Sequence, residues 1–181
     1  MMDWRPSLLG IAGLATIANP IVAQARIYVS IEQAQQLLFP NQRLIKFPII
    51  VTQDLQEKMR VASSIRHPFV GERIWRGPDG SWLIIDEVVG KHEMITYAVG
   101  IAPNGSVKGI EILEYVESYG YEVADSQWRK QFIGKTASDP VKLNQDIQNI
   151  SGATLSSKHL TDGVKRILVL YELALKKVPQ K

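Results

Sequence analysis

Ser151-Gly152-Ala153-Thr154-Leu155-Ser156-Ser157 stands immediately before the last long helical pattern in the chain. Beyond it Leu160, Val164, Ile167, Leu168, Tyr171, Ala174 and Leu175 recur every three or four residues, and Lys158, Asp162, Lys165, Arg166, Glu172 and Lys176 fill the other side. The spacing predicts a C-terminal amphipathic helix entered through small, hydroxyl-bearing residues. Ser and Thr oxygens at a helix entrance accept hydrogen bonds from the otherwise unpaired first-turn N–H groups. Those same N–H groups, with the helix dipole, favour an anion such as phosphate. Local physics thus leaves two readings open, an ordinary capped helix start and a phosphate site.

Upstream lies a run of strand patterns. Arg73 to Arg76, Trp82 to Val89, Met94 to Ala102 and Ser106 to Val116 are separated by Pro78-Asp79-Gly80, Gly90-Lys91 and Pro103-Asn104-Gly105, whose Gly and Asn tolerate positive φ. They predict an antiparallel meander. In it Ile95, Tyr97, Val99 and Ile101 give one face to the core and leave the other to flanking helices or a ligand. Ser126 is read as the cap of a helix carrying Trp128 and Phe132 as core residues, and a short strand near Asp146 to Ile150 leads to Ser151. Before the meander, Ser30-Ile31-Glu32-Gln33 has the capping-box pattern of a short helix with Ala34, Leu37 and Leu38, ended by Pro40. Leu44 to Val51 reads as a strand that Pro48 places at an edge, and Thr52 caps a helix from Gln53 to about Ser63. The fold class is α+β, an antiparallel β meander flanked by helices with a C-terminal amphipathic helix.

Ser151-Gly152-Ala153-Thr154 followed by Leu155-Ser156-Ser157 resembles the flavin-attachment motif of FMN-binding domain proteins. That family includes peripheral subunits of the sodium-translocating NADH:quinone reductase and of the Rnf ion-translocating complex. Trp128-Arg129-Lys130-Gln131-Phe132-Ile133-Gly134-Lys135 resembles the family's tryptophan/phenylalanine/glycine segment, and Thr161-Asp162-Gly163-Val164 resembles its helix. The similarity runs from roughly Phe69 to Leu175. It implies an FMN-binding domain over 69–178 behind a variable lead-in, 26–68. It also implies FMN joined by a phosphoester bond to the Thr154 hydroxyl, installed from FAD by a flavin transferase. Ser151, Gly152 and Ala153 would keep the approach narrow, with Leu155 and Ser156 beside it. Glu117-Ser118-Tyr119-Gly120 would lie near the flavin, making Glu117 and Tyr119 candidate contacts; the tyrosines around them either shield the isoalloxazine ring or pack the sheet edge. One position departs from the family pattern: an aspartate usually stands three residues before the serine, where this chain has Gln148, with Asp146 two residues further upstream.

Composition bounds the setting. The 181 residues, 45% hydrophobic and 22% charged, suffice for one domain with a real core. Arg5, the apolar run Leu8 to Ala18, Asn19-Pro20 and Ala23-Gln24-Ala25 have the layout of a signal peptide over 1–25 cut after Ala25, which predicts a periplasmic or otherwise extracytoplasmic protein. An uncleaved anchor is the alternative, although a membrane span needs about 20 apolar residues. The chain has no cysteine, which excludes disulfides, thiolate metal sites and a lipid-modified N-terminal cysteine. Its +3 formal charge is spread thinly, with a mild concentration at Lys176, Lys177 and Lys181, a solvated tail with no nucleic-acid surface.

His67, His92 and His159 share no metal-ligand spacing, so no metal site is expected; His159 either approaches the phosphate end of the flavin or points to solvent. Glu114 and Glu117 at a strand end have no evident nucleophile, and Gly-x-Gly-x-x-Gly, Walker and Gly-x-Ser-x-Gly motifs are absent. The resemblance therefore carries the functional expectation: an exported electron-transfer flavoprotein with membrane-bound redox partners and no catalytic side chain of its own. A noncovalent FMN-binding or sensor module and a flavin-free interaction domain are the alternatives.

Overall fold

Alternation along the meander divides the core into two faces. The computed structural model describes residues 26–116 and 120–179. Its elements are β1 (Arg26–Ile27), α1 (Ile31–Leu38), β2 (Ile45–Lys46), α2 (Gln53–Ser63), β3 (Ile74–Arg76), β4 (Trp82–Val89), β5 (Met94–Ile101), β6 (Val107–Tyr115), α3 (Ser126–Arg129) and α4 (Thr154–Leu173). The sheet is six-stranded in the order β1-β6-β5-β4-β3-β2, with each neighbouring pair antiparallel. The four expected meander strands are therefore present, and the lead-in supplies both edges.

Trp82, Ile84 and Val88 of β4 and Ile95, Tyr97, Val99 and Ile101 of β5 point to one side, where Leu160, Val164, Ile167 and Leu168 of α4 and Met59 of α2 bury them. Leu83, Ile85, Ala98 and Leu113 point to the other side, under Ala34 and Leu38 of α1 and Phe39 after it. The second face is thus sheathed by a helix. The capping box at Ser30 and Gln33 and the Thr52 side chain accepting from the Leu55 N–H start α1 and α2 as expected.

Local bonding displaces three of the sequence-based expectations. The strand read over Leu44 to Val51 is regular only at Ile45–Lys46; Phe47 and Ile49 still donate to Ile74 and Gly71, but Pro48 between them has no N–H to give. The cap before α3 is Asp125, whose carboxylate accepts from the Gln127 N–H at 2.9 Å, and Ser126 is the first helical residue. The segment from Asp146 to Ile150 is not a strand: the backbone turns over residues 144–146, Ile147 makes an isolated bridge with Leu143, and residues 148–150 are irregular. Its Asp146 carboxylate accepts from the N–H groups of Val141 (3.1 Å) and Lys142 (2.8 Å), which draws the backbone into a loop in place of a ladder. Trp128 and Phe132 are core residues, packed edge to face with centroids 5.2 Å apart.

Arg166 is the largest departure. Its place among the charged positions of α4 assigns it to the polar side, yet it is 1% exposed. Its Nη2 donates to both Asp86 carboxylate oxygens at 2.6 Å and its Nε to Oδ2 at 2.9 Å, while Nη1 donates to the His67 carbonyl at 3.0 Å. The Tyr97 hydroxyl donates to the same carboxylate at 2.8 Å; burial, then the Asp86 charge, push the phenol well above its usual range.

Helix and sheet meet closely because Gly163 lies between them. A Cβ there would press on the Tyr97 hydroxyl and come within 2.9 Å of Val88 Cγ1. Overpacking of this kind costs about 1–3 kcal/mol, against at most about 1 kcal/mol gained in helix propensity. Gly163→Ala is expected to lower stability by about 1–2 kcal/mol in urea unfolding and to weaken the Tyr97–Asp86 bond.

Candidate functional site

The entrance to α4 is built differently from a capped helix start. Ala153 is the N-cap, at φ −120°, and no side chain accepts from the first-turn N–H groups. The hydroxyls expected to cap them have other partners. Thr154 Oγ1 accepts from Asn149 Nδ2 at 3.0 Å, Ser156 Oγ bonds the Tyr115 hydroxyl at 3.0 Å, and Ser157 Oγ donates to the Ala153 carbonyl at 2.8 Å. Ser151 is exposed on the preceding turn. Gly152 sits at φ +85°, a left-handed conformation that a Cβ would strain, although the space around it is open.

Gly152, Ala153, Thr154, Leu155 and Ser156 line a cavity of about 230 Å³ together with Lys91 and Gly120. Lys91 is exposed and has no ion pair among the described residues. His159 fixes the turn that carries it: its Nδ1 donates to the carbonyls of Val89 (2.6 Å) and Gly90 (3.1 Å). His159 thus faces the end of β4 instead of standing free in solvent. A lysine cation, open N–H groups, the positive end of a 20-residue helix and a first turn without acids make this corner favourable to an anion.

The approach to Thr154 is clamped. The Gln148 N–H donates to Gln131 Oε1 at 2.8 Å and its carbonyl accepts from Trp128 Nε1 at 2.7 Å. Asp146 does not stand in for an acid at Gln148, because it holds its own loop and pairs with Lys135 at 3.0 Å. Burial pushes the Asp146 carboxyl up, but the Lys142 and Val141 N–H groups and Lys135 together hold it below the ordinary value. The Thr136 N–H and hydroxyl, each at 2.8 Å, likewise hold Asp139 down. A carboxyl depressed in the folded state stabilises above its unfolded pKa and loses that contribution as pH falls through the folded pKa. Loop 136–147 is therefore expected to lose amide-exchange protection as pH drops below the ordinary aspartate value of 3.8. Asp146→Asn should show less protection at neutral pH and a flatter acid response.

The structure gathers Gly152, Ala153, Thr154, Leu155 and Ser156 into one site with Ser151 adjoining, while Glu117 and Tyr119 lie outside the described residues. Lys91 and Asn149 join that site without a sequence signal of their own; Lys91 reads only as part of a turn. Among the described residues no group of His, Asp or Glu is placed to hold a metal ion. Residues 90–169, from Gly90 beside Lys91 to the last quarter of α4, match the family model of the FMN-binding domain. Over those residues the chain is similar to an FMN-binding domain.

One component of the Na(+)-translocating ferredoxin:NAD(+) oxidoreductase complex of Acetobacterium woodii is similar over 112 residues at 29% identity. The alignment covers 57% of this chain and 50% of that component, so the chain spans about half the length of the curated relative it matches. FMN is the cofactor of the FMN-binding domain, and the residues present fit its anionic end. Lys91, the uncapped first turn and the open Gly152 would hold the phosphate.

Proposed function

We propose that this protein is an exported electron-transfer flavoprotein whose FMN is joined through its phosphate to the Thr154 hydroxyl by a flavin transferase, and that it passes electrons between membrane-bound redox proteins. The observation that carries this reading is the exposed Thr154 on an uncapped first turn that lines one cavity with Lys91. Pockets that enclose a small-molecule ligand usually hold about 300–1,000 Å³. The cavity of about 230 Å³ is smaller, so it suits the phosphate end and would leave the ring at the surface near Leu155, itself 47% exposed. So shallow a seat gives little noncovalent retention, and a bond to Thr154 supplies it.

When bound, FMN supplies one- and two-electron chemistry. The chain holds the phosphate, fixes the attachment oxygen and leaves the reactive ring accessible to partners. The likeness to a component of a ferredoxin:NAD(+) oxidoreductase complex supports a relay role. Export rests on the signal-peptide pattern of residues 1–25.

Production with an exported flavin transferase should yield a protein band that stays fluorescent on a denaturing gel, and production without the transferase should yield none. Gln148 at the motif's acid position favours a second reading, a noncovalent FMN module. In that case denaturation would release all the flavin.

A further inference from the structure

We infer that Asn149 is a positioning residue for flavin attachment, holding the Thr154 hydroxyl oxygen in place for the transferase; the inference rests on the covalent reading above. An exposed threonine hydroxyl ordinarily samples several rotamers. Here Asn149 Nδ2 donates to Thr154 Oγ1 at 3.0 Å. The donor is itself anchored: Gln148 beside it is bound through both its N–H and its carbonyl, and the Ala153 N–H donates to the Ile150 carbonyl at 3.0 Å, closing the turn between Asn149 and Thr154. One lone pair of Oγ1 is occupied by the amide. The O–H bond and the other lone pair remain for chemistry.

In the attachment step Thr154 Oγ1 attacks the phosphorus of the FMN half of FAD. The Oγ1–P bond forms, the bridging P–O bond of the pyrophosphate breaks, and AMP leaves with that oxygen. The hydroxyl proton passes to a basic group of the transferase, and no group changes oxidation state. A fixed attacking oxygen raises the rate of such a step, because small misplacements of reacting atoms are costly.

The test uses the purified full chain as substrate for an exported flavin transferase with FAD, reading initial rates of label by mass for wild type, Asn149→Ala and Asn149→Asp. Asn149→Ala is expected to lower the transferase kcat roughly tenfold, equivalent to about 1.4 kcal/mol, with KM for the protein and the melting temperature unchanged. Asn149→Asp, of the same size but with no N–H to donate to Oγ1, should be about as slow as Asn149→Ala. An unchanged kcat, an effect confined to KM or to melting, or an aspartate variant as fast as wild type would overturn the inference. Absence of label on the wild type would overturn the covalent reading itself and this inference with it.

Discussion

Asp86→Ala is expected to remove about 3–5 kcal/mol of folding stability, the usual cost of stripping one partner from a buried ion pair. Arg166 would be left 1% exposed with its guanidinium facing no carboxylate, and Tyr97 would lose its acceptor. Domains of ordinary stability have about 5–15 kcal/mol in all, so the variant should unfold at far lower urea. The same physics makes a second result specific. Replacing both partners with apolar residues of similar size, Asp86→Leu with Arg166→Met, should recover part of the loss, because such swaps of buried pairs are often neutral or stabilising, while the Tyr97 hydroxyl and the His67 carbonyl still lose their partners. Urea unfolding of the two variants checks this. A loss under about 1 kcal/mol for Asp86→Ala, far below the usual cost, would show that the pair does not hold α4 to the sheet.

Thr154→Ala is expected to abolish covalent flavin while leaving the fold intact. Thr154 is exposed at the start of α4, where a surface substitution usually changes stability by no more than about 0.5 kcal/mol. The variant keeps Lys91, Gly152 and the open first turn, so any flavin it holds should be lost on dialysis from so shallow a cavity. Thr154→Ser keeps the nucleophilic oxygen but lacks the γ-methyl that restricts χ1. It should accept flavin more slowly than wild type, and gel fluorescence after equal transferase exposure ranks the three.

The meander was legible because its signals are local. Alternation at Ile95, Tyr97, Val99 and Ile101 and turn residues such as Pro103-Asn104-Gly105 each act within a few positions, and tertiary packing agrees with them. The caps at Ser30 and Thr52 were legible for the same reason. Arg166 was not, because its partner Asp86 lies 80 residues away and nothing near Arg166 distinguishes a buried guanidinium from a solvated one.

At the site, Thr154 and its glycine and alanine neighbours stand out through a contiguous motif. Lys91 does not, since only the antiparallel pairing of β4 with β5 and the His159 tether bring their turn to the entrance of α4. Asn149 is hidden in another way. Whether its amide reaches Thr154 depends on the segment before it being a turn, and the sequence pattern suggests a strand.

Intact-mass analysis of the mature protein, produced with and without an exported flavin transferase, tests the covalent flavoprotein most directly. The expected result is a gain of one FMN minus one water, seen only with the transferase, mapped to the peptide that contains Thr154 and absent from Thr154→Ala. Flavin mapped to any other residue, or a correctly processed protein that gains no mass, would contradict it.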